Sequence, residues 1–598
     1  MKNRPVYQID GRYLYYTFIA GAQRILQNQA EINKINVFPV NDKDTGTNLA
    51  STVRSIMDNI QPNRSFTTTA EVIAEAALVG ARGNSGVIFA QFFYGLSLET
   101  NERHVISFSE FADIIKKSVK HMYQAVANPV EGTMLTVVSD WADFLYSKRE
   151  AMTDFNQVII DSLEILRKSL QETKEKLVVL KKMNLVDAGA KGFVVFIEGI
   201  ISLILSRNLR HLIAEVPQLV SLVHSEESVN DNLDYRYCTE ALIKDIRIDK
   251  EDIQSILKRY GDSAVVAGAS KTTRIHVHTN RPAELFQELK DFGTITSQKV
   301  DDMVRQNQVV SNRKWKIALV TDSTCDLPQA LFDLYQIHVV PLNLNFGENH
   351  YLDKVTITPD QFYDLLQSNA VFPKTSQINE RTFTNLYSHL ASHYDAIISI
   401  HLSGQFSGTL LSSQKAATRI SSEFNKPVHV FDSKNLSGSL GLIVLRTAFE
   451  IEKGASLEDI LLKIGYWIPK AQVYVSVKTM KFMVKGGRVS KPKGILSALL
   501  NIKPIITLDS NGKAALFGTT FSQSSNMNKV IKKIEALQSH QSIWNYIVLH
   551  AHNPAGAEEY TNRMKQLTGC DPLAVVDISP VIGMNAGLGA TAVSIMLN

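Results

Sequence analysis

The chain has 598 residues, 44% hydrophobic and 20% charged, with a net charge of +4; that length suggests about three or four domains, and the dispersed Lys and Arg argue against a nucleic-acid partner. Three cysteines, Cys238, Cys325 and Cys570, stand far apart, which excludes a disulfide framework and fits a reducing cytoplasm. The opening Met-Lys-Asn-Arg-Pro-Val-Tyr-Gln lacks the apolar run of a signal peptide, so a soluble, cytoplasmic protein is expected.

Residues 8–208 read as helical. Apolar residues recur at helical spacing in Tyr13–Leu26, Ala70–Val79, Phe108–Val126 and Phe155–Leu170. The more continuous apolar run from Gly192 to Leu205 is interrupted by Glu198 and short for a bilayer, so it is expected as a buried bundle helix and no integral membrane segment is expected. Between these helices lies Asn36-Val-Phe-Pro-Val-Asn-Asp-Lys-Asp-Thr-Gly-Thr-Asn48. Asp42 and Asp44, one residue apart and followed by Thr45, Gly46, Thr47 and Asn48, form an all-oxygen set suited to Mg²⁺ and phosphate. An EF-hand calcium loop counted from Asp42 would need an oxygen ligand, Gly and Glu at its fifth, sixth and twelfth positions. The chain has Gly46, Thr47 and Val53 there, so that reading fails. An Asp beside a turn Gly also reads as a helix cap. Further glycine signals follow in Gly80-Ala-Arg-Gly-Asn-Ser-Gly86, Glu131-Gly-Thr133 and Asp187-Ala-Gly189, which mark helix ends, where free N–H groups favour anions.

These four segments, in this order, resemble the ATP-binding domain of bacterial fatty acid kinase, which is related to the DhaL nucleotide subunit of dihydroxyacetone kinase. The resemblance implies an all-α, antiparallel eight-helix barrel with ATP and two Mg²⁺ at its rim. It assigns the metal to Asp42, Asp44 and Asn36. ATP falls to Thr45, Gly46, Thr47, Asn48, Gly83, Asn84, Ser85, Gly86, Thr133 and Asp187. One departure is plain: the family's Pro-Asp-Gly-Asp is here Asn41-Asp-Lys-Asp44, and the missing glycine matters if that position needs a positive φ.

Residues 209–234 form a connector ending in a polar, acidic stretch. From 235 to 304 the pattern is βαββαβ: strands at Arg236–Ile243, Ser263–Ala267, Arg274–His278 and Thr294–Val300, and helices at Lys250–Arg259 and Pro282–Asp291. That order predicts a small α+β ferredoxin-like sandwich, and it resembles the middle domain of fatty acid kinase. His276 and His278 share one strand face by period-two alternation, and Cys238 lies on another strand. Cys plus two His is a zinc set, of structural type. Such residues are associated with zinc in the resembling domain.

A polar join, Arg305–Lys314, leads to Trp315-Lys-Ile-Ala-Leu-Val-Thr-Asp-Ser-Thr-Cys-Asp-Leu327, an apolar strand running into a Ser/Thr/Asp turn, the usual opening of an α/β domain. Thr321-Asp-Ser-Thr324, Pro373-Lys-Thr-Ser-Gln377, His401-Leu-Ser-Gly-Gln-Phe-Ser-Gly-Thr409, Asp432-Ser-Lys434, Lys485-Gly-Gly-Arg-Val-Ser490, Leu500-Asn-Ile-Lys-Pro504 and Ser579-Pro-Val-Ile-Gly583 follow. Together they resemble the DegV family, an α/β fold whose members bind one fatty acid, over 314–598. The resemblance implies that Thr375 and Ser407 donate to the fatty acid carboxylate. On the residues alone either hydroxyl is equally a helix N-cap. Arg488 becomes the catalytic cation by the same resemblance. A second departure lies at Gly583-Met-Asn-Ala-Gly-Leu-Gly589. Kinase-serving members carry His before a Gly-Pro-Gly turn, whereas Asn585 can contact the head group but carries no charge.

The expectation is therefore an ATP- and Mg²⁺-dependent kinase that turns a bound fatty acid into an acyl phosphate, with both halves in one chain. A homodimer, an acyl-phosphate-using acyltransferase partner and a peripheral membrane location during lipid exchange belong to that expectation. Two alternatives stand beside it. One is a lipid-binding regulator with a decayed kinase half, and the other is a dihydroxyacetone-kinase-like enzyme for a small hydroxylated compound.

Overall fold

In the computed structural model, residues 5–38, 43–150, 154–206, 234–269, 271–368, 371–487 and 502–598 are described. Contacts divide the chain into two units, Met1–Val304 and Arg305–Asn598.

The first unit begins with a ring of helices. Gly11–Gln27, Thr45–Asn59, Phe66–Gly80, Gly83–Glu99, Phe108–Ala125, Met134–Ser147, Phe155–Lys176 and Ala188–Ser206 each pack on the next, and the last returns to the first. Three of the four periodic stretches expected as helices fall within these elements, and Phe108–Val126 overruns its helix by one residue, the extended cap Val126. Their starts follow local chemistry. Ser65 accepts from Thr68 N–H, and Ser107 forms a reciprocal capping box with Glu110. Phe18, Phe89, Phe92, Phe93, Phe193 and Phe196 interlock edge to face inside the ring. The Ala188–Ser206 helix is long and apolar enough to cross a membrane by length and composition, yet Phe193, Val194, Val195, Phe196 and Ile197 are all core residues. Glu198 pairs with Arg167 at 2.9 Å. The expected connector, 209–234, lies outside the described residues apart from its last position.

A four-stranded antiparallel sheet follows in the same unit, in the order Gly261–Ala269, Thr272–Thr279, Tyr237–Lys244, Thr294–Asp302. With helices Lys250–Tyr260 and Pro282–Leu289 this is the expected βαββαβ sandwich. Alternation sends Ala241, Ile243, Ile275 and Val277 beneath the helices. The opposite face packs on the ring, where Val126 bridges to Val265 and Gly268 N–H donates to Gln91 Oε1.

The second unit is α/β. A parallel sheet runs Val428–Asp432, Ala396–His401, Ile317–Asp322, His338–Val340, and a mixed six-stranded sheet runs Ala514–Thr520, Lys503–Leu508, Ala471–Ser476, Thr591–Leu597, Ile543–His550, Ala574–Asp577. Asn349–Leu352, Asn343–Phe346 and Lys374–Ser376 make a small antiparallel sheet. The helix Ser437–Glu452, buried along most of its length, packs against strands of both larger sheets.

Candidate nucleotide and lipid sites

The first site is built at helix starts. Asp44 stands immediately before the helix Thr45–Asn59, but its side chain makes no cap bond to it. Asn36, 2% exposed, supplies the cap instead, its Oδ1 accepting Thr45 N–H at 2.8 Å. A metal at Asn36 would therefore share an oxygen already engaged with backbone. Thr45 Oγ1 lies 3.3 Å from Ser85 Oγ, which ties this helix start to the next glycine loop. Gly83 has φ +57°, and a Cβ there would stand 2.2 Å from Asn48 Nδ2; one at Gly86 would meet Thr52 Oγ1 at 2.8 Å. Both glycines thus let the start of the helix Gly83–Glu99 close on the first turn of Thr45–Asn59, where Asn48 stands. Asn84 Oδ1 is buried without a hydrogen-bond partner. A carboxamide so placed can turn oxygen toward a cation's shell or NH₂ toward phosphate.

The remaining expected ATP residues divide. Gly46 and Thr47 face the helix Gln29–Lys34: a Cβ at Gly46 would sit 2.2 Å from Gln29 O, and Thr47 bonds Asn33 through N–H (3.0 Å) and Oγ1 (2.9 Å). Thr133 Oγ1 donates to Val130 O at 2.8 Å, just before the helix Met134–Ser147. Asp187 joins two helix starts, accepting N–H bonds from Ala190 at 2.7 Å and from Met134 and Gly189. Burial nevertheless pushes its carboxyl up to about 6. Asp42 and Arg488 lie outside the described residues. Lys43 is described, and its φ is +53°. The position where the family has glycine is thus left-handed here, at a cost of about 1 kcal/mol or more for a side chain.

The face of the middle sheet turned away from its own helices carries buried charge. Cys238, His276 and His278 offer ligand atoms within 4.8 Å of one another, and His276 Nε2 is buried without a partner. One thiol and two imidazoles fit a tetrahedral zinc with one further ligand. Burial raises the Cys238 thiol well above its ordinary value and lowers His276, so a cation there would reverse an unfavourable thiolate environment. Asp44 is close enough to add to the field at Cys238. Beside the trio stand two residues that the sequence patterns did not single out. Glu240 and Arg274, each 1% exposed, pair at 2.6 Å. Burial pushes Glu240 up, but Arg274, Lys299 and His276 outweigh it and hold the carboxylate well below its ordinary range.

The second site is a cavity of about 270 Å³ in the second unit. Its walls are apolar, including Val473, Val475, Ile506 and Leu508 from the six-stranded sheet and Val581 and Ile582 from the helix Pro580–Ala586. Polar lining is sparse. Thr375 comes from the edge strand Lys374–Ser376, and Ser407 from the turn before the helix Thr409–Phe424. These segments meet: a Cβ at Gly408 would collide with Gln377 Oε1 at 1.7 Å. Ser407 also accepts Thr409 N–H at 3.2 Å and lies 2.8 Å from Thr409 Oγ1, so it orders a helix start while lining the cavity. A carboxylate here would meet hydroxyls and the positive end of a 16-residue helix. Asn585 lines the cavity too. Its Nδ2 donates to Val581 O at 3.3 Å, and its Oδ1 is buried without a partner, against Gly486. An aspartate network underlies one wall: Asp353 accepts from Ser323 Oγ at 2.6 Å and Val581 N–H at 3.2 Å.

Three family descriptions match successive parts of the chain. They are the DAK2 domain over 39–202, the middle domain of fatty-acid-kinase-like proteins over 234–310, and the uncharacterised DegV protein family over 316–598. An uncharacterised protein of Staphylococcus saprophyticus is 31% identical over 322 residues, 52% of this chain and 58% of its own length. Protein YloV of Bacillus subtilis is 29% identical over 322 residues, with the same 52% and 58% coverage. The chain thus spans under two thirds of these curated relatives. Among solved structures, a DegV family protein from Thermus thermophilus, described by its fatty acid binding, is 30% identical and aligns over 47% of this chain and 100% of its own, with TM-score 0.44. DegV from Bacillus subtilis, described as a fatty acid binding protein, is 26% identical over 48% and 100%, with TM-score 0.43.

Proposed function

We propose that this chain transfers the γ-phosphoryl group of ATP to the carboxylate of a fatty acid bound in its DegV domain. Its union of a DAK2 domain, a fatty-acid-kinase-like middle domain and a DegV-family domain supports that reading. The observation that carries it is the 270 Å³ apolar cavity with hydroxyls of Thr375 and Ser407 in its wall. An acyl chain matches the wall, and a carboxylate matches the hydroxyls and helix start. A small hydroxylated compound would leave most of that apolar surface unfilled, which disfavours the dihydroxyacetone-like alternative.

In the nucleotide domain, Asp44 with Asp42 would hold Mg²⁺, which when bound neutralises phosphate charge. Asn36 is better suited to setting the loop than to ligating, since its oxygen caps Thr45. The first helical turn at Gly83–Gly86 and Asn48 would receive the phosphates, with Thr133 and Asp187 arranging neighbouring helix starts. Zinc held by Cys238, His276 and His278 would be structural. A fatty acid carboxylate is already ionised near neutral pH and needs no general base. Its oxygen forms the new bond to phosphorus while the bond to the bridging oxygen of ADP breaks, giving acyl phosphate and ADP. Arg488 is the cation proposed to balance the charge in transfer, a role that Asn585 cannot take. The product belongs to the class consumed by acyltransferases, and a homodimer would be a second way to bring the two sites together.

The test is Asp44→Asn in the full chain. Fatty-acid-dependent ADP release should fall at least about 100-fold, as expected when a metal ligand in phosphoryl transfer is removed, with the thermal midpoint unchanged. Wild-type turnover in the variant would refute the metal assignment.

A further inference from the structure

The charged face of the middle sheet holds a buried ion pair that the proposed chemistry does not use. Glu240 sits on the strand Tyr237–Lys244 opposite His276 in register, and Arg274 is two residues before His276 on the neighbouring strand. A buried pair of this kind is often no more stabilising than apolar residues of similar volume. Its presence calls for a reason other than stability.

The contacts supply one. Glu240 Oε1 accepts the Gly83 N–H at 2.5 Å, and Glu240 Oε2 accepts from Arg274 Nη2 at 2.6 Å. The same Arg274 nitrogen donates to Ala81 O at 2.8 Å. Arg82 Nη1 lies 4.0 Å from Glu240 Oε2. Three consecutive residues entering the helix Gly83–Glu99 are therefore gripped by one pair from another domain. Gly83 is the left-handed residue whose missing side chain lets Asn48 approach. Its N–H is among the donors that a helix start leaves without an internal partner. With that donor engaged, the loop is set before an anion arrives, and Arg274 neutralises a carboxylate that would otherwise repel phosphate. Preordering of this sort lowers the conformational cost of binding.

We propose that Glu240, held by Arg274, is a positioning residue for the nucleotide: it locks the Ala81–Gly83 backbone in the form that receives phosphate. The inference rests on the nucleotide reading of Gly83–Gly86. Glu240→Ala alone would strand a buried guanidinium and threaten the fold. The informative variant is Glu240→Leu/Arg274→Met in the full chain, which replaces both charges with apolar groups of similar size. Titration with Mg·ATP should show at least a tenfold weaker Kd, and KM for ATP should rise while KM for fatty acid and the thermal midpoint stay at wild type. Hydrogen exchange at residues 81–86 should be slow in nucleotide-free wild type and faster in the double variant. Fast exchange there in wild type, or wild-type Kd in the variant, overturns the inference while leaving the nucleotide reading intact. A wild-type chain that binds no Mg·ATP refutes the nucleotide reading, and the inference falls with it.

Discussion

The two candidate sites are built from different materials. In the first unit the candidate phosphate cradle is mostly backbone and small polar groups: helix starts, two glycines whose absent side chains admit Asn48 and Thr52, and capping by Asn36 and Asp187. In the second, the cavity is walled mainly by apolar side chains from the six-stranded sheet and the helix Pro580–Ala586, with few hydroxyls among them. A backbone-built site tolerates little change at its glycines, because a Cβ has nowhere to go. A side-chain-built cavity tolerates repacking of its wall and is sensitive where a buried charge meets its donors.

The largest effect expected from this contrast lies in the cavity. Thr375→Ala/Ser407→Ala removes two donors to a charged acceptor, each worth ~1.5–3 kcal/mol. Native mass spectrometry of protein expressed in bacteria should show co-purified fatty acid in the wild type and little in the double variant, whereas Ile506→Val in the wall should retain it. Unchanged occupancy would move the carboxylate elsewhere. In the cradle, Gly83→Ala combines left-handed strain of about 1–2 kcal/mol with displacement of Asn48. Mg·ATP affinity should drop by roughly 30-fold or more with fatty acid binding untouched. A variant that binds nucleotide normally would show that the glycine serves packing alone.

A subtler difference concerns pH. Burial pushes the Asp353 carboxyl beneath the cavity wall up to about 7, with Lys354 and Ser323 pulling against it. Between its ordinary value near 4 and about 7 the folded state holds a proton that the unfolded state releases. Stability therefore falls as pH rises through that window, by at most about 1.4 kcal/mol per pH unit, and levels off above it. Thermal midpoints of wild type and Asp353→Asn, compared from pH 5 to 8, should diverge: the wild type falls relative to the variant up to about pH 7 and runs parallel to it above. Profiles parallel throughout would mean that Asp353 does not titrate there. The smallest effect belongs to Lys43→Gly. Releasing a left-handed Lys should leave stability unchanged or raise it by up to about 1 kcal/mol, and nucleotide turnover should change only modestly. A large gain in turnover would favour the reading of a decayed kinase.

Much of this architecture was legible in the sequence because its signals are local. Period 3.6 marked Tyr13–Leu26 and Phe155–Leu170, and period two with glycine and proline breaks gave the βαββαβ order from 235 to 304. The same alternation placed His276 and His278 on one face, and the strand register sets Cys238 opposite His278. It could also have flagged Glu240 and Arg274, which share that face, but a charge on a strand reads as solvent-facing until the partner surface is known. The helix Gly83–Glu99 offered no comparable stripe, because buried apolar residues such as Val87, Phe89, Ala90, Phe92, Phe93 and Leu96 surround it on most sides. Gly46 and Thr47 look like phosphate ligands from their neighbours in sequence, but their contacts run to Gln29 and Asn33, which no local pattern reveals. The donor that Asn36 caps is likewise nine residues away.

The central claim is transfer from ATP to a lipid carboxylate within this chain. Full-length protein, Mg·ATP and a long-chain fatty acid should be incubated with hydroxylamine, and the acyl hydroxamate quantified. The account predicts hydroxamate that requires both ATP and fatty acid and disappears in Asp44→Asn. A preparation that binds both ligands yet forms none would contradict it and leave a lipid-binding regulator in its place.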